Sequence, residues 1–153
     1  MLNEKSIPVR TVKEGDRRNQ FGGDVELIFL HPGLLEGNLN ENSLVTLLQY
    51  RKVKILFTGD IEPKQQKEIL MKYPRLKTAQ FVQIPHHGGP LMENFFGEFP
   101  SAKFVVSAGK VTNLSEDSSG FKENISRILR TDTGGNIVFG TDGRYLKRIY
   151  AIP

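Results

Sequence analysis

Three side chains in this sequence have the types and the placement to do chemistry together: Asp60, His86 and His87. Asp60 follows the apolar run Leu56-Phe57-Thr58-Gly59, so a strand ends in a sharp turn that carries a carboxylate. Such a strand end is a rigid mount for a metal-binding oxygen, because the strand fixes the backbone and glycine lets it turn. The plainer role for Asp60 is to cap the helix that follows. His86 and His87 sit in Ile84-Pro85-His86-His87-Gly88-Gly89, again where an apolar strand runs out into a glycine-rich loop. Imidazole is the usual nitrogen ligand for zinc or manganese. Adjacent residues on an extended segment point in opposite directions, so at most one of the pair faces a given metal. The plainer alternative is a surface loop whose two rings only make hydrogen bonds.

The elements that must position these residues can be read from periodicity and punctuation. Residues 1–23 form an entry arm or linker, dense in charge from Lys13 to Arg18, with Val9-Arg10-Thr11-Val12 as a short edge strand. Val25 to Leu30 is a strand stopped by Pro32-Gly33. A Gly- and Asn-rich loop over 33–42 follows. Ser43 to Tyr50 and Val53 to Thr58 pair as a hairpin across Arg51-Lys52. Pro63 opens a helix that Pro74 stops, with Ile69, Leu70 and Tyr73 on its buried face. Ala79 to Ile84 is a strand, Leu91 to Phe96 a short helix, and Lys103 to Ser107 a strand. A polar loop occupies 111–119. Phe121 to Leu129 reads as an amphipathic helix through Phe121, Ile125, Ile128 and Leu129. Ile137-Val138-Phe139 and Tyr145 to Ile149 make a last hairpin with an Asp-Gly turn. Strands and helices are interspersed, which gives an α/β chain with a layered, mixed sheet and helices on one face. A crossover helix between consecutive parallel strands sets their C-terminal ends side by side, so Asp60 and the histidine pair should meet at one sheet edge.

Composition narrows the classes. The chain has 153 residues, 38% hydrophobic and 25% charged, which suits one soluble globular domain with a real core. No apolar run approaches the roughly 20 residues of a membrane helix, and the polar start MLNEKSIPVR lacks the apolar stretch of a signal peptide. The absence of cysteine excludes disulfides, thiolate zinc sites and cysteine nucleophiles. Of the three histidines, His31 precedes a proline at the end of a buried strand and reads as structural. The net charge of +4 permits contact with a polyanion without demanding it.

Three motifs in order, Asn40-Glu41-Asn42-Ser43-Leu44-Val45, Leu56-Phe57-Thr58-Gly59-Asp60-Ile61 and Pro85-His86-His87-Gly88, resemble the metallo-β-lactamase superfamily. The branch they resemble is the C-terminal domain of ComEC-type competence DNA-uptake proteins and their stand-alone relatives. Val105 to Lys110 and the Arg130-Thr131-Asp132 to Thr141-Asp142-Gly143 ending fit the same branch, and the likeness covers about residues 24–148. The resemblance implies a four-layer αβ/βα sandwich with a dinuclear zinc or manganese centre that hydrolyses phosphodiesters and similar bonds. It implies that Asp60 bridges the metals and that His86 or His87 is a late ligand. It sets Asn40 or Asn42 where many members carry another histidine. The family's main metal motif, His-x-His-x-Asp-His, does not occur in the sequence, and 113–118 lacks the histidine that the branch often carries there.

The chain therefore reads as the second half of that sandwich, a half-domain over 24–153. One aspartate and two histidines fall short of a dinuclear centre, since catalytic zinc keeps three protein ligands and an open position. Weak or absent metal binding and little activity are expected of the isolated chain. An apolar sheet face left by the missing N-terminal half is expected to drive dimerisation. DNA is the polyanion in view. The competing expectation is a non-catalytic oligomerising or polyanion-binding module, to which Lys103, Lys110, Lys122, Arg127 and Arg130 would contribute.

Overall fold

The apolar runs of the sequence become one mixed sheet. A computed structural model describes residues 8–19, 22–109 and 120–149. The polar loop 111–119, Lys110 and the first seven residues lie outside the described residues. Seven strands stand in sequence order: β1 (Arg17–Arg18), β2 (Val25–His31), β3 (Val45–Tyr50), β4 (Val53–Phe57), β5 (Phe81–Gln83), β6 (Lys103–Val106) and β7 (Ile128–Arg130). From β1 to β4 the pairing is antiparallel, and from β4 to β7 it is parallel. The central strand β4 is thus the pivot between a meander and a run of crossovers. Helix α1 (Pro63–Lys72) makes the crossover from β4 to β5, with Pro63 at its first position and Glu62 at its N-cap. A four-residue helix, α2 (Thr131–Gly134), follows β7.

Cross-strand partners share a face, so the register sorts the side chains. Ile28, Leu47, Leu56, Val82, Phe104 and Ile128 form one row. They pack under Ile69 and Leu70 of α1, Leu76 of the 3₁₀ turn after it, and a group of rings from Phe95, Phe96, Phe99 and Phe121. Phe96 meets Phe104 and Phe121 edge-on, at centroid distances of 4.9 and 5.3 Å. The opposite face carries Leu27, Leu48, Ile55 and Phe81 as a row. There a separate hairpin, β8 (Val138–Thr141) and β9 (Leu146–Ile149), sets Phe139 against Phe81 at 5.1 Å. Beyond the hairpin this face stays partly open: Phe57 is 40% exposed.

Three expectations are corrected. Residues 9–12 form no strand; the edge strand is Arg17–Arg18, and the arm before it is stitched to β2 through Gly15 N–H to Phe29 O and Glu14 N–H to Pro32 O. Residues 91–96 form no helix; successive turns run over 93–98, where Asn94 takes a left-handed φ of 57°. Residues 121–129 are not a helix. The chain makes turns and a 3₁₀ turn (Ile125–Arg127), then enters the sheet as β7. The open backbone of β6 needs a hydrogen-bonding partner, and that outweighs a helical pattern weakened by Asn124 and Ser126. With that helix gone, α1 and the aromatic turns cover the helical face, and the β8–β9 hairpin covers part of the other.

Candidate functional site

The parallel pairing of β4 and β5 brings their C-terminal ends together, and the two turns that leave them are tied directly. His86 N–H donates to Gly59 O at 3.1 Å. Thr58, almost fully buried, donates its hydroxyl to Gln83 O at 3.0 Å, which fixes the end of β4 to the end of β5. Gly59 is required where it stands. Its φ is +57°, and a Cβ there would lie 3.0 Å from Ser43 Cβ and 3.2 Å from Leu44 O.

His86 and His87 both adopt left-handed backbone conformations, with φ of 50° and 55°. Two such residues in succession are rare outside glycine, and strain of this kind gathers where a structure over-determines its side chains. The kink breaks the alternation expected of an extended segment and lets the two rings find different carboxylates. His87 Nδ1 lies 2.7 Å from Ser107 O, at the end of β6. A carbonyl accepts only from N–H, so the proton sits on Nδ1 and the Nε2 lone pair is left outward. That Nε2 is 3.8 Å from Asp60 Oδ1, and both side chains are partly exposed. His86 Nδ1 lies 3.4 Å from Glu62 Oε1, too poorly aligned for a hydrogen bond, and is a buried nitrogen without a partner. Asn40 Nδ2 reaches the same Glu62 oxygen at 3.5 Å.

The structure thus joins Asp60 with His87, and His86 with Glu62 and Asn40. Glu62 was not among the residues that sequence reasoning singled out; the signal was its place two residues after Asp60 at a strand-to-helix turn. Of the two asparagines, Asn40 reaches the site. Asn42 builds the 33–42 loop instead, donating to the carbonyls of Glu36 and Asn38 at 2.7 Å each. His31 lies apart, with Nε2 2.6 Å from Glu41 O. Of the five basic residues, Lys103, Arg127 and Arg130 are engaged by the fold. Arg127 donates to Ala102 O, Phe99 O and Asn124 Oδ1 and lies over the Phe104 ring. Arg130 is paired with Asp132 at 2.7 Å, which holds the Asp132 carboxyl below the usual range. Lys103 donates to Ser126 O at 3.2 Å. Lys110 lies outside the described residues.

A divalent metal needs at least three of these ligands around one point. Among the described residues no three His, Asp or Glu side chains form such a group. The two carboxylate–imidazole pairs supply lone pairs but do not by themselves make a metal centre. What they can do alone is proton chemistry: His87 Nε2 accepts a proton, and Asp60 stabilises the imidazolium that results.

Comparison with known proteins gives one curated relative to weigh, ComE operon protein 3 of Bacillus subtilis (strain 168). It is 26% identical over 153 aligned residues, which cover 95% of this chain. The chain spans 19% of that protein's length. No family model matches the sequence, and no solved structure matches it. No helix among the described residues is long and apolar enough to cross a membrane.

Proposed function

We propose that this chain is the second half of a metallo-β-lactamase-type hydrolase domain of the competence DNA-uptake kind, and that its substrate class is the phosphodiester. The carrying observation is the meeting of Asp60 and His87 at 3.8 Å, at the ends of neighbouring parallel strands. The extent of the likeness to ComE operon protein 3 supports the same reading, since 95% of the chain takes part in it. The described residues fall short of a metal centre, so no metal-dependent step is assigned to this chain alone. Zinc or manganese would be held jointly with ligands from a missing first half or from a second copy. His87 would act as the proton carrier near the scissile bond, oriented by Ser107 O and Asp60.

The second reading, an oligomerising module that kept the scaffold without the chemistry, draws on the partly open sheet face around Ile55 and Phe57. Polyanion binding through Arg127 and Arg130 loses support, because both side chains serve the fold. Sedimentation equilibrium, calorimetric titration with zinc and manganese, and cleavage of a labelled oligodeoxynucleotide test the two together. The hydrolase reading expects a dimer or a reconstituted two-part domain that takes up metal and cleaves, with both lost in Asp60→Asn. A chain that self-associates yet neither binds metal nor cleaves in any assembly supports the module. A monomer inert in all three assays refutes both.

A further inference from the structure

On the helical side of the sheet, at the opposite end of β4 from Asp60, lies a cleft of about 520 Å³ that neither reading uses. Its floor is aliphatic, from Ile28 of β2, Leu47 of β3 and Leu76 of the turn after α1. Its rim is one-sided in charge: Arg17, Lys54, Lys72 and Arg75 stand against the single carboxylate Glu26. Two of the four cations are compensated. Arg17 is paired with Glu26 at 2.9 Å, and Lys72 with Glu14 at 2.5 Å.

The other two are not. Lys54, half-buried, gives its ammonium only neutral acceptors, Thr78 Oγ1 at 2.8 Å and Arg75 O at 3.4 Å. Arg75 has no carboxylate within ion-pair distance among the described residues. Lys54 Nζ lies 3.4 Å from the backbone oxygen of Arg75, and both residues line the cleft. The partial negative charge at the C-terminal end of α1 opposes an anion, but it fades within one turn and Lys72 sits in that turn.

We propose that this cleft binds a phosphate-bearing ligand with a flat, largely apolar body, the chemistry of a nucleotide unit. The phosphate lies between Lys54 and Arg75, where a guanidinium fork accepts two oxygens and an ammonium adds a point charge. The ring system lies on the floor of Ile28, Leu47 and Leu76, beside Tyr73. A free mononucleotide and a nucleotide within a single strand share this chemistry. The site is independent of the hydrolase reading, because Lys54 is the second residue of β4 whereas Asp60 lies beyond its end.

The test is fluorescence anisotropy with a labelled 12-residue oligothymidylate, in chelator so that no metal contributes, with thymidine monophosphate and thymidine as competitors. The proposal expects Arg75→Glu to weaken binding about tenfold, and Arg75→Gln to lower the salt slope by about 1. Lys67→Glu, an equal charge change on exposed α1 surface, should alter affinity less than twofold. Competition by the monophosphate but not by thymidine identifies a free nucleotide as a sufficient ligand. Binding of the oligonucleotide alone identifies a unit of a strand. The proposal is overturned if no phosphate probe binds at millimolar concentration. It is equally overturned if Arg75→Glu, shown folded by circular dichroism, weakens binding no more than Lys67→Glu, or if thymidine competes as well as its phosphate. Should Arg75→Glu not fold, the same criteria apply to Arg75→Gln.

Discussion

Replacing Arg127 with leucine removes a fork that holds three acceptors and covers a ring. The guanidinium donates to the carbonyls of Phe99 and Ala102, the last residues before β6, and to Asn124 Oδ1 at 3.0 Å. It also lies 4.9 Å from the centroid of Phe104, a ring with no exposed surface. Each hydrogen bond to a charged group contributes about 1.5 kcal/mol, and the cation–π contact about 1 kcal/mol. Arg127 is half-buried and water can reach part of the fork, so the expected loss is about 3 kcal/mol rather than the full sum. For a chain of this size that lowers the thermal midpoint by about 6–12 °C. Urea unfolding should show a lower midpoint with an unchanged slope. Arg127→Lys keeps the charge but not the fork, and should recover less than half of the loss. A loss under about 1 kcal/mol in Arg127→Leu would refute the argument. Combined with weakened DNA binding, it would return Arg127 to the role of an exposed cation.

Phe104→Ala empties the centre of the aromatic group and should cost about 3–5 kcal/mol, read by the same urea titration. Gly59→Ala places a Cβ 3.0 Å from Ser43 in a left-handed turn; about 1–3 kcal/mol of stability should go, read by the same urea titration, and the Asp60–His87 pair should separate, as the chemical shifts of the His87 ring would report. The Glu14 contact with Tyr73 and Lys72 makes stability depend on pH at both ends. Its hydrogen bonds hold the Glu14 carboxyl below its ordinary 4.5, so this contribution is present above that value and is lost as pH falls through the depressed one. Burial and the same bond push Tyr73 from 10.0 up to about 12, so its contribution is complete below pH 10 and is lost between 10 and 12. Thermal midpoints across pH should fall at both extremes, and Tyr73→Phe should remove the alkaline fall that this phenol causes.

How far the fold was legible depends on where its determinants lie. β2, β3, β4, α1 and the last hairpin carry their own signals: apolar alternation, Pro63 at a helix start, Asp142-Gly143 in a turn. The crossover logic likewise set Asp60 beside the histidines from strand order alone. What failed was decided elsewhere in the chain. The pattern from Phe121 to Leu129 is helical in isolation, yet the free edge of β6 draws Ile128 to Arg130 into the sheet. The left-handed turn at His86-His87 has no local cue, so the sharing-out of the two rings between Asp60 and Glu62 could not be read. Nor could the cleft at Lys54 and Arg75, whose residues come from strands and turns far apart in sequence. Arg127 looked like surface charge because nothing nearby announced the carbonyls it serves.

The change of pairing at β4 also sets an order of assembly. β2, β3 and β4 close through hairpins, and the first long connection among them is the 33–42 loop, braced by Asn38, Glu41 and Asn42. The parallel side closes otherwise: Leu56 finds Val82, Val82 finds Phe104, and Phe104 finds Ile128, each across more than twenty positions of chain. The entropy of those closures must be met before the aromatic group can repay it, so the meander is expected to gain protection first and β7 last. Pulse-labelled hydrogen exchange reads that order residue by residue. On this view Phe104 acts as a clasp, because it is both the partner of Ile128 in the last strand pair and the ring on which Arg127 and Phe96 close.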